Sequence, residues 1–210
     1  MSAVSLDVEN LGKSYGGPPL FTGLTFRAAS GLTAVAGRNG SGKTTLLKIL
    51  AALLRPEWGS VKVREGDREL AGEERRLAVG WAGLDLAFYD DFTARENLRF
   101  FRRAAGRAIP GEETEIASRV SSVGLSEAID RRVGAFSTGM KQRLRLAFAV
   151  LFDPPILILD EPMAGLDTEG RSIVENLIAD RRRTGAVILA SNDERDFAQP
   201  DQTVVLGGKR

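Results

Sequence analysis

Two segments near the start of the chain, "VSLDVENL" (Val4 to Leu11) and "LFTGLTFRA" (Leu20 to Ala28), alternate apolar and polar residues. A period of two marks strands with one buried face, and the intervening "YGGPP" supplies a turn, so the pair reads as antiparallel. Three other runs are continuously apolar: "LTAVA" (Leu32 to Ala36), "ILIL" (Ile156 to Leu159) and "AVILA" (Ala186 to Ala190). Such runs suit strands covered on both faces of a parallel sheet, which predicts an α/β core. The pattern turns helical in the middle third. Thr93 and Glu96 in "TAREN" form a capping box, after which Ala94, Leu98, Phe101 and Ala105 recur at helical spacing. A second helix is expected from about Met140 to Phe152, with Met140, Leu144, Ala147 and Leu151 on one face. Residues 84–152 therefore read as a helical subdomain inserted between core strands. No Pro/Ser/Gly-rich linker separates a second domain, so residues 1–210 are expected to form one.

Composition narrows the chemistry. Lys+Arg 29 against Asp+Glu 28 leaves a formal net charge of +1, which gives no global field for nucleic acid. "FFRR" (Phe100 to Arg103) and "RRR" (Arg181 to Arg183) are read as solvated or partner-facing surface. With no Cys and no His, disulfides, thiol chemistry, zinc sites and imidazole acid/base catalysis are all excluded. Any metal must be a hard ion held by oxygen. The start "MSAVSLDVEN" lacks a leader pattern, and no apolar run approaches the roughly 20 residues of a membrane span, so a cytoplasmic location is expected.

The most specific chemical signal is "GRNGSGKT", Gly37 to Thr44, which fits the phosphate-loop pattern between a buried strand and the apolar stretch "LLKILAAL". Small residues at Gly37, Gly40 and Gly42 let consecutive backbone N–H groups curl round an anion at a helix N-terminus. Lys43 would then reach the β and γ phosphates of a nucleotide, and the Thr44 hydroxyl would be a Mg2+ ligand. "ILILDEP" delivers Asp160 and Glu161 to a strand's C-terminal end, where open parallel sheets bind ligands. Asp160 suits the metal shell, and Glu161 suits a general base or water-positioning role. "FSTGMKQRLRLA" opens a helix with Ser137 and Gly139, a hydroxyl and bare backbone at a helix N-terminus. The tip "VILASNDERD" breaks from apolar to polar at Asn192, where a strand end followed by a helix cap is the plain alternative to chemistry.

Gly37 to Thr45 (with Arg38, Asn39 and Ser41 inside it), Phe136 to Arg143, Ile156 to Pro162 and "AGLD" (Ala164 to Asp167) in this order resemble the phosphate loop, signature, Walker B strand and D-loop of ABC transporter ATPase subunits. The resemblance implies a RecA-like P-loop core with an N-terminal antiparallel β subdomain and an inserted helical subdomain. It implies ATP and Mg2+ as cofactors, a transmembrane permease subunit as partner, and a location on the cytoplasmic face of the bacterial inner membrane. It implies a head-to-tail dimer in which one subunit's phosphate loop and the other's signature hold ATP, bringing in Ser137, Gly139 and Asp167. Tyr15 matches the aromatic that stacks on adenine. The wording is most similar to export-type systems, above all the haem exporter ATPase of cytochrome c maturation.

The departures from the family pattern are as informative. The usual Gln falls on Leu84, followed by Asp85; Thr138 and Met140 replace signature residues; and the switch histidine falls on Asn192. Two functions follow: an ATPase powering an exporter, or an ATP-gated dimerising module that hardly hydrolyses. Retention of Glu161 favours the first, and loss of the Gln and His favours the second. A soluble DNA-repair or translation ABC protein would need a coiled-coil insertion or a second phosphate loop, and the sequence has neither. "AGLDLAFYDDF", Ala82 to Phe92, is expected either to dock on the membrane subunit through Leu84, Leu86, Phe88 and Tyr89 or to fill the subdomain core with them.

Overall fold

A computed structural model describes residues 4–106, 111–196 and 199–207. Residues 1–3 and 208–210, the ends of the expected single domain, lie outside that range. The expected hairpin is present: β1 (Val4–Lys13) pairs antiparallel with β2 (Phe21–Ala28), bringing Leu6 opposite Ala28 and Val8 opposite Phe26. β4 (Trp58–Glu65) and β5 (Arg68–Leu70) complete a four-stranded sheet in the order β2-β1-β4-β5, and the short helix α2 (Gly72–Ala78) leads out of it.

The apolar runs form the second sheet. β3 (Gly31–Gly37), β7 (Ile156–Asp160) and β8 (Ala186–Ala190) lie with β6 (Val79–Ala82) and β9 (Gln202–Leu206) in the order β6-β7-β8-β3-β9, and each adjacent pair is parallel. All five residues of β7 and of β8 are buried, as a strand covered on both faces requires.

Alternation along these strands divides the interior into two hydrophobic clusters. Ile156, Ile158, Ile188 and Val35 face α1 (Lys43–Leu50) and the antiparallel sheet, packing with Leu46, Leu47, Leu50 and Leu6. Leu157, Leu159, Val187 and Leu189 face the other way, onto α3 (Ala94–Ala104), α4 (Glu112–Ser121), α5 (Thr138–Ala149) and α6 (Thr168–Thr184). The helical segment thus shares one core with the sheet and has none of its own.

The capping box stands as expected: the Thr93 hydroxyl accepts from the Glu96 amide at 3.1 Å, and the Glu96 carboxylate accepts from the Thr93 amide at 2.7 Å. α5 differs from its expected span. It begins at Thr138 because Ser137 is its cap, accepting from the Met140 amide at 3.2 Å. It ends at Ala149, three residues before Phe152, in a turn where Asp153 has φ 53° ahead of Pro154 and Pro155, residues that a helix cannot run through. The Ala82–Phe92 loop divides its apolar residues between core and surface. Phe88 packs edge-on against Phe101 and Phe148 with ring centroids 6.1 and 6.4 Å away, while Leu84 and Tyr89 remain exposed.

α5 lies on β6 at glycine-only distance: a Cβ at Gly80 would collide with the Ala149 carbonyl and the Pro154 ring. Backbone cannot yield as a side-chain tip does, so Gly80→Ala is expected to destabilise the fold by about 1–3 kcal/mol. Thermal unfolding should show a Tm loss of about 2–4 °C per kcal/mol for a chain of this size. An unchanged Tm would mean that α5 is free to move off the sheet.

Candidate nucleotide site

Because β3, β7 and β8 run parallel, their C-terminal ends open on one edge of the sheet, and each delivers a segment of the site there. After β3 the chain turns through Gly37–Gly42 into α1. The Ser41 amide donates to the Arg38 carbonyl at 3.0 Å, and Gly42, with φ 97°, caps the helix in a conformation that a side chain would oppose. Asn39, Gly40, Gly42, Lys43, Thr44 and Thr45 line a cavity of about 610 Å³; Gly37, Arg38 and Ser41 build the loop behind that lining.

Lys43 is only 7% exposed, and three oxygens hold its ammonium. It donates to the Gly37 carbonyl at 2.8 Å, to the Arg38 carbonyl at 3.5 Å, and to Asn192 Oδ1 at 2.8 Å. A lysine has donors only, so the carboxamide oxygen must be the atom facing it. The cap reading of Asn192 is therefore replaced. The local capping falls to its neighbours: the Ser191 hydroxyl accepts from the Asp193 amide at 3.0 Å, and the Asp193 carboxylate accepts from the Arg195 amide at 3.0 Å.

Asp160 and Glu161 follow β7 into the same cavity. The Thr44 hydroxyl stands close enough to Asp160 to favour its ionised form, which brings the two expected metal ligands together. Burial is the main force pushing the Asp160 carboxyl up from its ordinary value, with Thr44 pulling the other way. Glu161 is also pushed up, first by burial and then by the Asp160 carboxylate beside it. Ser191 lies between Glu161 and a part-exposed ion pair: its hydroxyl donates to Asp196 Oδ2 at 2.5 Å and stands 3.4 Å from Glu161 Oε2, while Arg171 holds Asp196 Oδ1 at 2.9 Å.

The donor set suits a hard cation that is shared with a phosphate. Among the described residues no cluster of three or more acidic side chains could hold a metal alone. Mg2+ is ordinarily bound by one or two protein oxygens together with substrate phosphates and water, which Thr44 and Asp160 match. The Ser41 hydroxyl is buried without a partner among the described residues and lies on the Gly37 side of the loop, behind the cavity lining.

Tyr15 lines the same cavity at 64% exposure, with the Lys13 ammonium 5.2 Å from its ring centre. Ser137, Gly139 and Asp167 do not line it. Ser137 and Asp167 cap α5 and α6, and Gly139 lies beside the turn at Gly165, where a Cβ would come 3.1 Å from the Gly165 carbonyl. The sequence reading missed Lys48, which lines the cavity and pairs with Asp85 at 2.7 Å, and also Ser191, Asp196 and Arg171. No local pattern links Lys48 to Asp85, since the pairing is made only by the fold.

The ABC transporter family profile matches residues 22–164. The chain is 38% identical to YxlF, an uncharacterised ABC transporter ATP-binding protein of Bacillus subtilis, over 96% of its own length and 67% of the relative's. It is 35% identical to CcmA, the cytochrome c biogenesis ATP-binding export protein of Brucella abortus, over 89% of its length and 84% of the relative's. Among solved structures, an ATP-binding subunit of an ABC transporter matches with TM-score 0.82 at 25% identity, covering 96% of this chain and 85% of that one. A bacterial ABC transporter cassette solved as a dimer matches with TM-score 0.81 at 21% identity, covering 96% and 94%. Relatives and geometry agree: the chain belongs to the ABC transporter family, among its ATP-binding proteins.

Proposed function

We propose that this chain binds and hydrolyses Mg-ATP to power an export-type transporter through a separate membrane subunit. The observation that carries this reading is the convergence of Lys43, Thr44, Asp160, Glu161 and Asn192 on one cavity at the sheet edge. Lys43 and the Gly40–Thr45 backbone would hold the triphosphate, and Tyr15 would lie against the adenine. Thr44 and Asp160 would hold Mg2+, which when bound neutralises phosphate charge. Glu161, held near Ser191, would orient the attacking water and accept its proton. Asn192 has no imidazole chemistry, but Lys43 occupies only its oxygen, and its NH2 has no partner among the described residues. Those protons are the donor this chain offers to developing charge on the γ phosphate. With Glu161 in place at the cavity, the geometry favours turnover over the ATP-gated module that hardly hydrolyses.

Two partners complete the reading. Ser137, Gly139 and Asp167 lie outside the cavity, so they would act on the nucleotide of a second subunit, and a structural neighbour solved as a dimer supports that arrangement. The exposed Leu84 and Tyr89, with Phe92 and Phe100 beside Tyr89, form an aromatic surface suited to the membrane subunit. No helix among the described residues is long and apolar enough to cross a membrane, which fits a peripheral place on the cytoplasmic face. Export of haem for cytochrome c assembly is the cargo reading supported by the Brucella relative at 35% identity; Nod factor export is named for a Burkholderia orbicola relative at 34%.

Steady-state ATP turnover and the thermal shift produced by Mg-ATP test this function together. Lys43→Ala is expected to lose the shift and the turnover. Glu161→Gln is expected to keep the shift, lose turnover and accumulate as a dimer in light scattering with ATP. Normal turnover in Glu161→Gln would overturn the assignment of the water-activating carboxylate.

Asn192→Ala is expected to slow turnover by about 10²–10³ with nucleotide affinity nearly unchanged, the usual cost of one transition-state donor. A parent-like rate would leave Asn192 only its bond to Lys43.

A buried acid whose folded-state pKa lies above its unfolded value takes up protons on folding. Its stability cost is therefore absent below the unfolded pKa and grows as pH rises through the window between the two. In nucleotide-free, metal-free protein, Asp160→Asn should raise Tm at pH 7, and the gain should shrink as pH falls toward about 4. A lower Tm at pH 7 would show that the nearby cations outweigh the burial of Asp160.

A further inference from the structure

Glu161 is a non-glycine residue in the left-handed region, φ 51°, at the point where its side chain enters the cavity. Such a backbone is strained and persists only where its surroundings over-determine it. Three residues bond its main chain. Its amide donates to the Ala190 carbonyl at 2.9 Å, and its carbonyl accepts from the Ala164 amide at 3.1 Å and from Gln142 Nε2 at 3.1 Å. The same Nε2 also donates to the Pro162 carbonyl at 3.2 Å, so both amide protons of Gln142 go to the segment that carries the glutamate.

Gln142 is 1% exposed, and its remaining group is satisfied as well, since Oε1 accepts from Arg145 NH1 at 3.0 Å. Gln142 and Arg145 stand three apart on α5 and so share a face. Arg145 Nε then donates to the Leu86 carbonyl at 2.9 Å, inside the loop whose Leu84 and Asp85 line the cavity and whose Tyr89 faces outward. Burial draws this guanidinium below its ordinary pKa, as expected of a charge taken from water to serve as a structural donor. A buried carboxamide with every group committed fixes its neighbours far more tightly than an apolar residue of equal volume.

We infer that Gln142 and Arg145 are positioning residues for the reaction, holding the strained backbone of Glu161 and tying it through the Leu86 carbonyl to the exposed loop. In most of the family's pattern a Gln at position 84 would join that loop to the nucleotide. Here Leu84 lacks the groups to do so, and the Leu86–Arg145–Gln142–Glu161 path supplies a connection that does not need it. This inference rests on the proposed ATPase function.

The test compares the parent with Gln142→Met, Arg145→Met and the double variant in Mg-ATP turnover, in Kd for Mg-ATP from thermal shift, and in amide hydrogen exchange at Ala164. Gln142→Met is expected to lower kcat about 10²-fold, as slight misplacement of a reacting group does, with Kd within about twofold of the parent. Arg145→Met is expected to lower kcat about tenfold, and the double variant no further than Gln142→Met, because residues acting as one unit are not additive. Exchange at Ala164 should speed in Gln142→Met. Parent-like kcat in Gln142→Met, or losses that multiply in the double variant, would overturn the inference. If Gln142→Met fails to fold, kcat of the part-exposed Arg145→Met decides. A parent without turnover would remove the ATPase reading, and exchange at Ala164, unchanged or raised, would still settle whether Gln142 holds Glu161.

Discussion

The ammonium of Lys43 is the charge around which the site is arranged. It is almost fully buried, and the three oxygens it touches, two carbonyls and one carboxamide, are all formally neutral. Dipoles of this kind keep a buried cation in place without cancelling it. That ammonium, with the Asp160 and Glu161 carboxylates close enough to feel its charge, joins the end of β3 to the end of β8 and would give a triphosphate its place in the fold. Removing the ammonium would take away an anion's partner and also unhook Asn192 from the loop it faces.

Around that charge, other groups are held by hydrogen bonds rather than by packing alone. Ser191 is locked between Asp193 and Asp196, and Arg171 anchors Asp196 from the first turn of α6. Gln142 reaches the opposite flank of Glu161 from α5. Groups from two helices thus reach this residue, Gln142 of α5 on its main chain and Arg171 of α6 through Asp196 and Ser191 beside its carboxylate. Such double bracing explains how a glutamate remains in a backbone region that most residues avoid.

Much of this was legible in the sequence because local pattern and chemistry coincided. Continuous apolar runs marked the buried parallel strands, alternation marked the β1–β2 pair, and "GRNGSGKT" between strand and helix marked the phosphate loop. What escaped depends on sequence separation. β4 shows little alternation and buries only Val63 fully, and β9 leaves Val205 exposed between Val204 and Leu206. α6 carries its apolar face at Val174, Leu177 and Ile178 among many charges. At Asn192 the sequence left a cap and a place in the site side by side, because Ser-Asn-Asp is a capping composition; only the fold shows that the middle residue reaches Lys43, 149 positions earlier, while its neighbours do the capping.

The face that Asp160 presents has its origin in odd and even positions along β7. Ile156 and Ile158 face the α1 side, so Asp160, next in that series, meets Thr44; Leu157 and Leu159 face the helices, and the left-handed turn just past the strand's end brings Glu161 into the same cavity. Evolution can exchange the letters of this strand freely among aliphatic residues, but it cannot change their number. A single codon lost between Ile156 and Leu159 would leave composition and hydropathy almost intact and yet take the Asp160 carboxylate off the face that meets Thr44.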